Sequence, residues 1–221
     1  MSTNGKIATA VTAVILLAAI VILAILLNQP KPQLPLDADG TPSAPTAIRD
    51  NTHRLDVAED GKVTLVEFLD FECEACGAYY PIMEQLREEY AGRVTFAFRY
   101  FPLPGHGNSV NAALAVEAAA NQDQLEPMFH RMFQTQATWG EKGADSQAPL
   151  FRTFAEELGL DMTKYDADIQ DPATRERIEL DFTEGIALGV EGTPTFFLNG
   201  ERLGTPAPEQ LRAMIDEALN E

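Results

Sequence analysis

The only two cysteines of this 221-residue chain, Cys73 and Cys76, are separated by two residues. The almost continuous apolar run from Val63 to Leu69 is typical of a strand that is covered on both faces. After the cysteines, apolar residues recur at helical spacing. The pair therefore lies where a buried strand turns into a helix, with Cys73 near the helix N-terminus. Because a disulfide across so short a loop stabilises a chain little, a small fold held together by cysteines is excluded.

The position of Cys73 favours the thiolate, because unpaired backbone N–H groups and the helix dipole stabilise negative charge at a helix N-terminus. Cys76 is close enough to attack a mixed disulfide on Cys73 and release the bound thiol. The pair can therefore cycle between dithiol and disulfide. A zinc site is the alternative, but His106 and His130 lie too far along the chain to complete a familiar zinc-binding spacing. Neither a metal nor another cofactor is expected.

Residues 7–27 form an apolar run that as a helix would span roughly 30 Å, the thickness of the hydrocarbon core of a bilayer. A cleaved signal peptide is the alternative, but it would have a shorter apolar region and a small-residue cleavage site. We therefore expect an uncleaved, single-pass anchor in the cell membrane. Lys6 in the segment 1–6 favours a cytoplasmic N-terminus and an extracytoplasmic domain, although Lys31 weakens this bias.

Residues 28–47 contain five of the 14 prolines and are interpreted as an extended linker. The remaining segment, 48–221, has a suitable length for one domain. Acidic residues outnumber Lys and Arg by 34 to 16, which gives a net charge of −18. This charge argues against nucleic acid as a partner, and a monomer is expected.

The pattern of residues 48–221 predicts an α/β domain. A strand at 93–100 follows the helix that begins near the cysteines. Four helical segments come next, at 109–120, 125–134, 149–158 and 172–188. The turn Asn199-Gly200 then joins two short strands, 195–198 and 201–203, in a hairpin. The chain ends in an amphipathic helix.

Two motifs occur together in this pattern. Residues 68–76 read Phe-Leu-Asp-Phe-Glu-Cys-Glu-Ala-Cys, and residues 192–195 read Gly-Thr-Pro-Thr. They resemble the active-site strand and turn, and the cis-proline loop, of the membrane-anchored DsbA-like thiol:disulfide oxidoreductases of the thioredoxin superfamily. The resemblance covers nearly all of the domain. It implies a thioredoxin fold with a helical subdomain inserted at about residues 104–189, preceded by one transmembrane helix.

The resemblance also implies roles for individual residues. Cys73 would be the exposed nucleophile, Cys76 the buried resolving cysteine, and Thr193 with Pro194 a backbone platform that faces them. Glu67, six residues before Cys73, falls where DsbA-like proteins keep a buried glutamate, which would relay a proton to or from the resolving cysteine. Such a role would explain a carboxylate in a core strand; a snorkelling or paired glutamate at a strand end is the alternative.

The motifs also depart from DsbA itself. Glu74 and Ala75 stand where DsbA has Pro-His, and Thr193 stands where DsbA has Val. Because the Glu74 carboxylate should repel a Cys73 thiolate, we expect a pKa of Cys73 below the about 8.5 of free cysteine but well above the about 3.5 of DsbA. His106 either lines the active-site side of the subdomain or is an ordinary surface histidine. Glu74, Ala75 and His106 are therefore expected to modulate the site.

The expected function is the introduction of disulfides into exported proteins that carry free thiols. The resemblance implies that a quinone-linked membrane oxidoreductase of the DsbB or vitamin K epoxide reductase (VKOR) type reoxidises the pair. A disulfide reductase or isomerase is the alternative, favoured by Glu74-Ala75 and Thr193. A module that binds or delivers a metal through the two thiolates is a more remote alternative, against which stands the lack of a nearby methionine or histidine cluster.

Overall fold

The computed structural model of the protein describes residues 34, 43–141, 143 and 145–221. The segment 1–6, the predicted anchor at 7–27 and most of the predicted linker lie outside these residues. Among the residues that are described, no helix is long and apolar enough to cross a membrane. The structure therefore bears on the predicted domain and on the end of the linker.

Within the described residues, five strands form one mixed sheet in the order β1-β3-β2-β4-β5. They are β1 (His53–Asp56), β2 (Val63–Leu69), β3 (Val94–Tyr100), β4 (Thr195–Leu198) and β5 (Glu201–Gly204). β2 and β3 are parallel, and the other neighbouring strands are antiparallel. β2 thus lies at the centre, which fits its nearly continuous apolar sequence. The predicted central strand and the hairpin of β4 and β5 are confirmed.

Seven α-helices lie in the described part of the chain. They are α1 (Glu74–Glu89), α2 (Ser109–Ala120), α3 (Leu125–Trp139), α4 (Ala148–Glu157), α5 (Met162–Gln170), α6 (Pro172–Ala187) and α7 (Pro208–Leu219). α1 connects the parallel strands β2 and β3. Because α2 to α6 all lie between β3 and β4, the helical insertion predicted for this part of the chain is confirmed.

Two details of the insertion differ from the sequence prediction. The pattern does not predict α5, which has only nine residues and buries only Tyr165, so that its apolar face is weak. Its start is fixed locally, because the Asp161 side chain caps the first turn. The pattern also ends α3 at residue 134, whereas the helix continues to Trp139. The added turn contains the buried Gln136, a polar residue that pattern reasoning assigns to the surface.

The sheet is covered on both faces. Val63 and Leu65 of β2 lie in a core with residues of α1 and α7, whereas Val66 and Phe68 lie in a second core that includes partly buried residues of α6. Successive residues of β2 thus enter different cores, as the alternation of a strand requires. Since Glu67 alternates with Val66 and Phe68, it faces the α1 side.

The second core contains a buried network of ion pairs centred on Arg99 of β3. Its Nε donates to Asp181 Oδ1 at 2.6 Å and its Nη2 to Glu184 Oε2 at 2.5 Å, both on α6. Its Nη1 donates to the Thr46 carbonyl at 2.7 Å, and the neighbouring Ala47 is buried. Thr46 and Ala47, at the end of the predicted linker, therefore pack on the domain.

Candidate active site

The two cysteines lie in the first turn of α1. Cys73 is the N-cap residue; its N–H donates to the Asp70 carbonyl at 3.1 Å, and its carbonyl accepts from the Gly77 N–H at 3.0 Å. Both cysteines are free thiols. Cys76 has no exposed surface, whereas Cys73 keeps 8% of its surface exposed. A substrate can therefore reach only Cys73, and through a narrow opening.

The surroundings give the two thiols opposite acidities. A hydrogen bond with the Cys76 thiol is the largest of the effects that lower the pKa of Cys73 to about 5; Thr193 and the N–H groups of Cys76 and Ala75 add to it, and burial opposes it. Burial raises the pKa of Cys76, and the charges of Cys73 and Glu67 raise it further. At neutral pH the reduced pair is thus a Cys73 thiolate beside a Cys76 thiol.

The Thr193–Pro194 loop packs against Cys73. The peptide bond between Thr193 and Pro194 is cis. As a thiol, Cys73 Sγ donates to the Thr193 carbonyl at 3.4 Å. The buried Thr193 Oγ1 has no other hydrogen-bond partner among the described residues, and it lies close enough to lower the pKa of Cys73. On the far side of the loop, Thr205 Oγ1 donates to the Pro194 carbonyl at 2.5 Å. The loop is thus held in place by hydrogen bonding, and the Thr193 hydroxyl remains available to the Cys73 sulfur.

Glu67 lies beneath the cysteines on the central strand, between Phe98 of β3 and Phe196 of β4. Its side chain is buried, and within the described residues no cation or hydrogen-bond donor pairs with its carboxylate. Burial, and then the charge of Cys73, raise the pKa of Glu67 to about 8. The alternative of a paired glutamate at a strand end is therefore not supported, and the group is protonated at neutral pH.

His106 is connected to the active-site turn by its contact with Asp70, the residue that follows β2. Asp70 Oδ1 accepts from the Glu72 N–H at 2.9 Å, and Asp70 Oδ2 accepts from the Leu103 N–H at 2.9 Å and lies 2.7 Å from His106 Nδ1. Burial raises the pKa of Asp70 to about 6, although these contacts oppose the change. Burial lowers the pKa of His106, but the Asp70 contact and the Cys73 charge outweigh it and give a net rise. His106 is therefore part of the active-site surroundings rather than an ordinary surface histidine.

Three polar residues beside the cysteines escape the sequence prediction. They are Asp70, Glu72 and Gln136, and all are buried. Glu72 Oε2 accepts from the Asn108 N–H at 2.6 Å, at the start of α2. Asp70 and Glu72 could have been found by the argument that singled out Glu67, since both interrupt an apolar stretch. Gln136 carries no such signal, because a glutamine in a helix is ordinary.

The two residues between the cysteines, Glu74 and Ala75, are exposed. Water screens the Glu74 carboxylate, so its repulsion of the Cys73 thiolate is weak compared with the contacts inside the turn. Among the described residues, no group of three or more His, Cys, Asp or Glu side chains could hold a metal ion.

Comparison with known proteins gives matches of two kinds. A family model described as Thioredoxin matches residues 58–217. A 145-residue stretch, 66% of the chain, is 37% identical to the Na(+)/H(+) antiporter NhaA of Herminiimonas arsenicoxydans, but it covers only 22% of that protein. The chain is also 30% identical over 167 residues to the "Probable disulfide bond formation protein D" of Bacillus anthracis, a match that covers 73% of this chain and 76% of that protein. The chain thus spans about a fifth of the antiporter relative and three quarters of the Bacillus relative.

The fold of this chain is also similar to that of a protein of known structure. The thiol-disulfide exchange protein alpha-DsbA2 from Wolbachia pipientis is 26% identical and superposes with a TM-score of 0.63. The match covers 77% of this chain and 89% of the Wolbachia chain. It supports a thioredoxin-like fold that carries a helical insertion.

Proposed function

The chain belongs to the thioredoxin family, with the helical insertion of its DsbA-like members, and from this premise we propose that it oxidises the thiols of exported proteins. The observation that carries the proposal is the asymmetry of the cysteine pair. A sulfur that is a stable thiolate, such as that of Cys73, is also a good leaving group, so a disulfide that contains it is readily reduced by substrate thiols. Cys76 stays a buried thiol that can expel a bound partner.

The proposed reaction starts from the disulfide form. A substrate thiolate attacks Cys73 Sγ, the bond between Cys73 and Cys76 breaks, and the Cys76 sulfur leaves with the electron pair and takes up a proton. A second substrate thiolate then attacks the substrate sulfur of the mixed disulfide, and Cys73 leaves as a thiolate. The substrate gains a disulfide, and the enzyme keeps two electrons that an oxidant must remove.

The redox equilibrium with glutathione tests the direction of this reaction. Thioredoxin, with a cysteine pKa near 7, has a potential of about −270 mV, and DsbA, with a pKa near 3.5, about −120 mV. A pKa of about 5 for Cys73 lies between them, so we predict a potential of roughly −200 to −150 mV. A measured value at or below that of thioredoxin would instead favour the reductase alternative.

The location and the reoxidant also belong to the proposal. The apolar run at 7–27 supports a single-pass anchor that holds the domain outside the cytoplasm, with residues 1–6 inside. A quinone-linked membrane oxidoreductase of the DsbB or VKOR type would then be within reach of the anchored domain. Labelling of Cys73 by a membrane-impermeant thiol reagent, in intact cells first treated with a membrane-impermeant reductant, tests the location, since a cytoplasmic domain would remain unlabelled.

Glu67 supplies the proton in this scheme. It is protonated at neutral pH, and its charged form acts on the pKa of Cys76, so the two groups interact. We predict that Glu67→Gln slows the step in which Cys76 leaves by about a hundredfold, the lower end of the range for general acid catalysis. The step in which Cys73 leaves should be unchanged, because its thiolate needs no proton. Rapid acid quenching with a dithiol peptide separates the two steps.

The exposed Glu88 on α1 provides the matched control, and Glu88→Gln should leave both steps at the wild-type rate. Stability gives a second readout. Because the folded-state pKa of Glu67 is raised, its contribution to the stability of the reduced protein is lost as the pH rises towards about 8. Glu67→Gln should therefore flatten the pH dependence of the free energy of unfolding between about pH 4.5 and 8. Equal slowing of both steps would contradict the relay.

A further inference from the structure

Gln136 of α3 holds the active-site turn from the side of the helical insertion. Its Nε2 donates to the Phe71 carbonyl and to the Cys73 carbonyl, both at 2.8 Å. The side chain is buried, so these bonds are not exchanged with water. One amide group thus fixes the backbone on both sides of Glu72, where the chain passes from the sheet into α1.

Gly77 shows how closely this amide approaches α1. A Cβ atom at position 77 would overlap Gln136 Oε1. Inside a helix an alanine is normally more favourable than a glycine. The glycine at position 77 therefore leaves the space that the Gln136 amide occupies when it donates to the Cys73 carbonyl.

The Cys73 carbonyl connects the Gln136 amide to the turn that surrounds the Cys73 sulfur. The Cys73 carbonyl accepts from the Gly77 N–H as well as from Gln136 Nε2, so both bonds fix the first turn of α1. In this turn, the N–H groups of Ala75 and Cys76 lie close enough to the Cys73 sulfur to lower its pKa. If the Cys73 carbonyl were released, the turn would fray at its N-cap and these N–H groups would lose their alignment.

We propose that Gln136 is a positioning residue for Cys73, which holds the first turn of α1 so that its backbone N–H groups converge on the sulfur. The inference rests on the proposed function, because it adds a residue to the same redox site. Among the described residues, the Gln136 side chain donates to two backbone carbonyls and forms no hydrogen bond with the sulfurs or the platform loop. It acts through the backbone, across the boundary between the thioredoxin fold and its insertion.

The first test replaces the amide by an apolar side chain of similar length. In Gln136→Met, the pKa of Cys73, followed by ultraviolet titration of the thiolate, should rise by about half a unit to one unit, which corresponds to the loss of a net hydrogen bond. The glutathione equilibrium should move about three- to tenfold towards the protein disulfide. Gln134→Met is the control, since Gln134 lies on the same helix but is exposed. It should change neither value.

The second test is a double-mutant cycle that does not depend on one variant alone. Gly77→Ala should displace the amide and raise the pKa of Cys73 as much as Gln136→Ala does, whereas the double variant should show no further rise. Additive effects, or a wild-type pKa in both Gln136→Met and Gly77→Ala, would overturn the positioning role. That outcome would leave the proposed function standing if wild-type protein still equilibrates with glutathione, whereas a wild-type protein that does not equilibrate would refute the function itself.

Discussion

We expect Cys73→Ala to abolish disulfide exchange, and Cys76→Ala instead to accumulate mixed disulfides with substrate proteins. Cys73 is the only one of the pair with exposed surface, and it is the thiolate at neutral pH. Without Cys76, the mixed disulfide on Cys73 has no neighbouring thiol to resolve it. Loss of the Cys76 thiol also removes the largest stabilising contact of the Cys73 thiolate, so the pKa of Cys73 should be higher in Cys76→Ala than in the wild type.

Non-reducing electrophoresis of cell extracts measures the trapped species. The chain has no cysteine besides these two, so every adduct of Cys76→Ala must pass through Cys73. The double variant without either cysteine is the control and should carry no adduct. Adducts on Cys73→Ala but not on Cys76→Ala would reverse the assigned roles.

Arg99→Met is expected to lower the free energy of unfolding by about 3–5 kcal/mol, the usual result of removing one partner from a buried ion pair. Methionine fills a similar volume, but it leaves the carboxylates of Asp181 and Glu184 without their shared donor. Both carboxylates are fully buried and cannot regain water. Arg49 also donates to Glu184, and Arg177 pairs with Asp181 at 2.6 Å, so these contacts will offset part of the loss.

Equilibrium unfolding in urea measures this effect. Arg152→Met is the matched control, because Arg152 forms ion pairs with Glu156 and Asp166 on the surface, where such pairs contribute little. It should unfold close to the wild type. An equally small effect of Arg99→Met would show that the remaining arginines compensate for its charge.

The sequence predicts those features of the fold and the site that depend on residues close together in the chain. The continuous apolar run of β2 and the change to helical spacing place the two cysteines correctly at the start of α1. The cost of a buried carboxylate singles out Glu67, because that cost follows from the strand alone. The ion-pair partners of Arg99 cannot be predicted in this way, since Asp181 lies 82 residues further along the chain. No periodicity connects the two, and the residue reads as one polar position in an alternating strand.

The same limit applies to the surroundings of the site. Gln136 contacts Cys73 from 63 residues along the chain, through a backbone carbonyl that every residue possesses. His106 is recognisable as a titratable group near the site only once the structure brings it to Asp70. Sequence therefore indicates the two sulfurs that are proposed to react, whereas the groups that alter their pKa depend on how the insertion packs on the sheet.

The Glu67 carboxyl group, which is unpaired among the described residues, should couple proton uptake to electron uptake. Its pKa is raised in part by the negative charge of the Cys73 thiolate, a charge that vanishes when the disulfide forms. Reduction of the disulfide therefore makes the protonation of Glu67 more complete, so that a fraction of a proton is taken up in addition to the one that Cys76 binds. A couple that takes up one proton with two electrons changes its midpoint potential by about 30 mV per pH unit, and one that takes up two protons by about 59 mV. Near neutral pH this protein should follow a slope between those limits, so that a lower pH makes it a stronger oxidant.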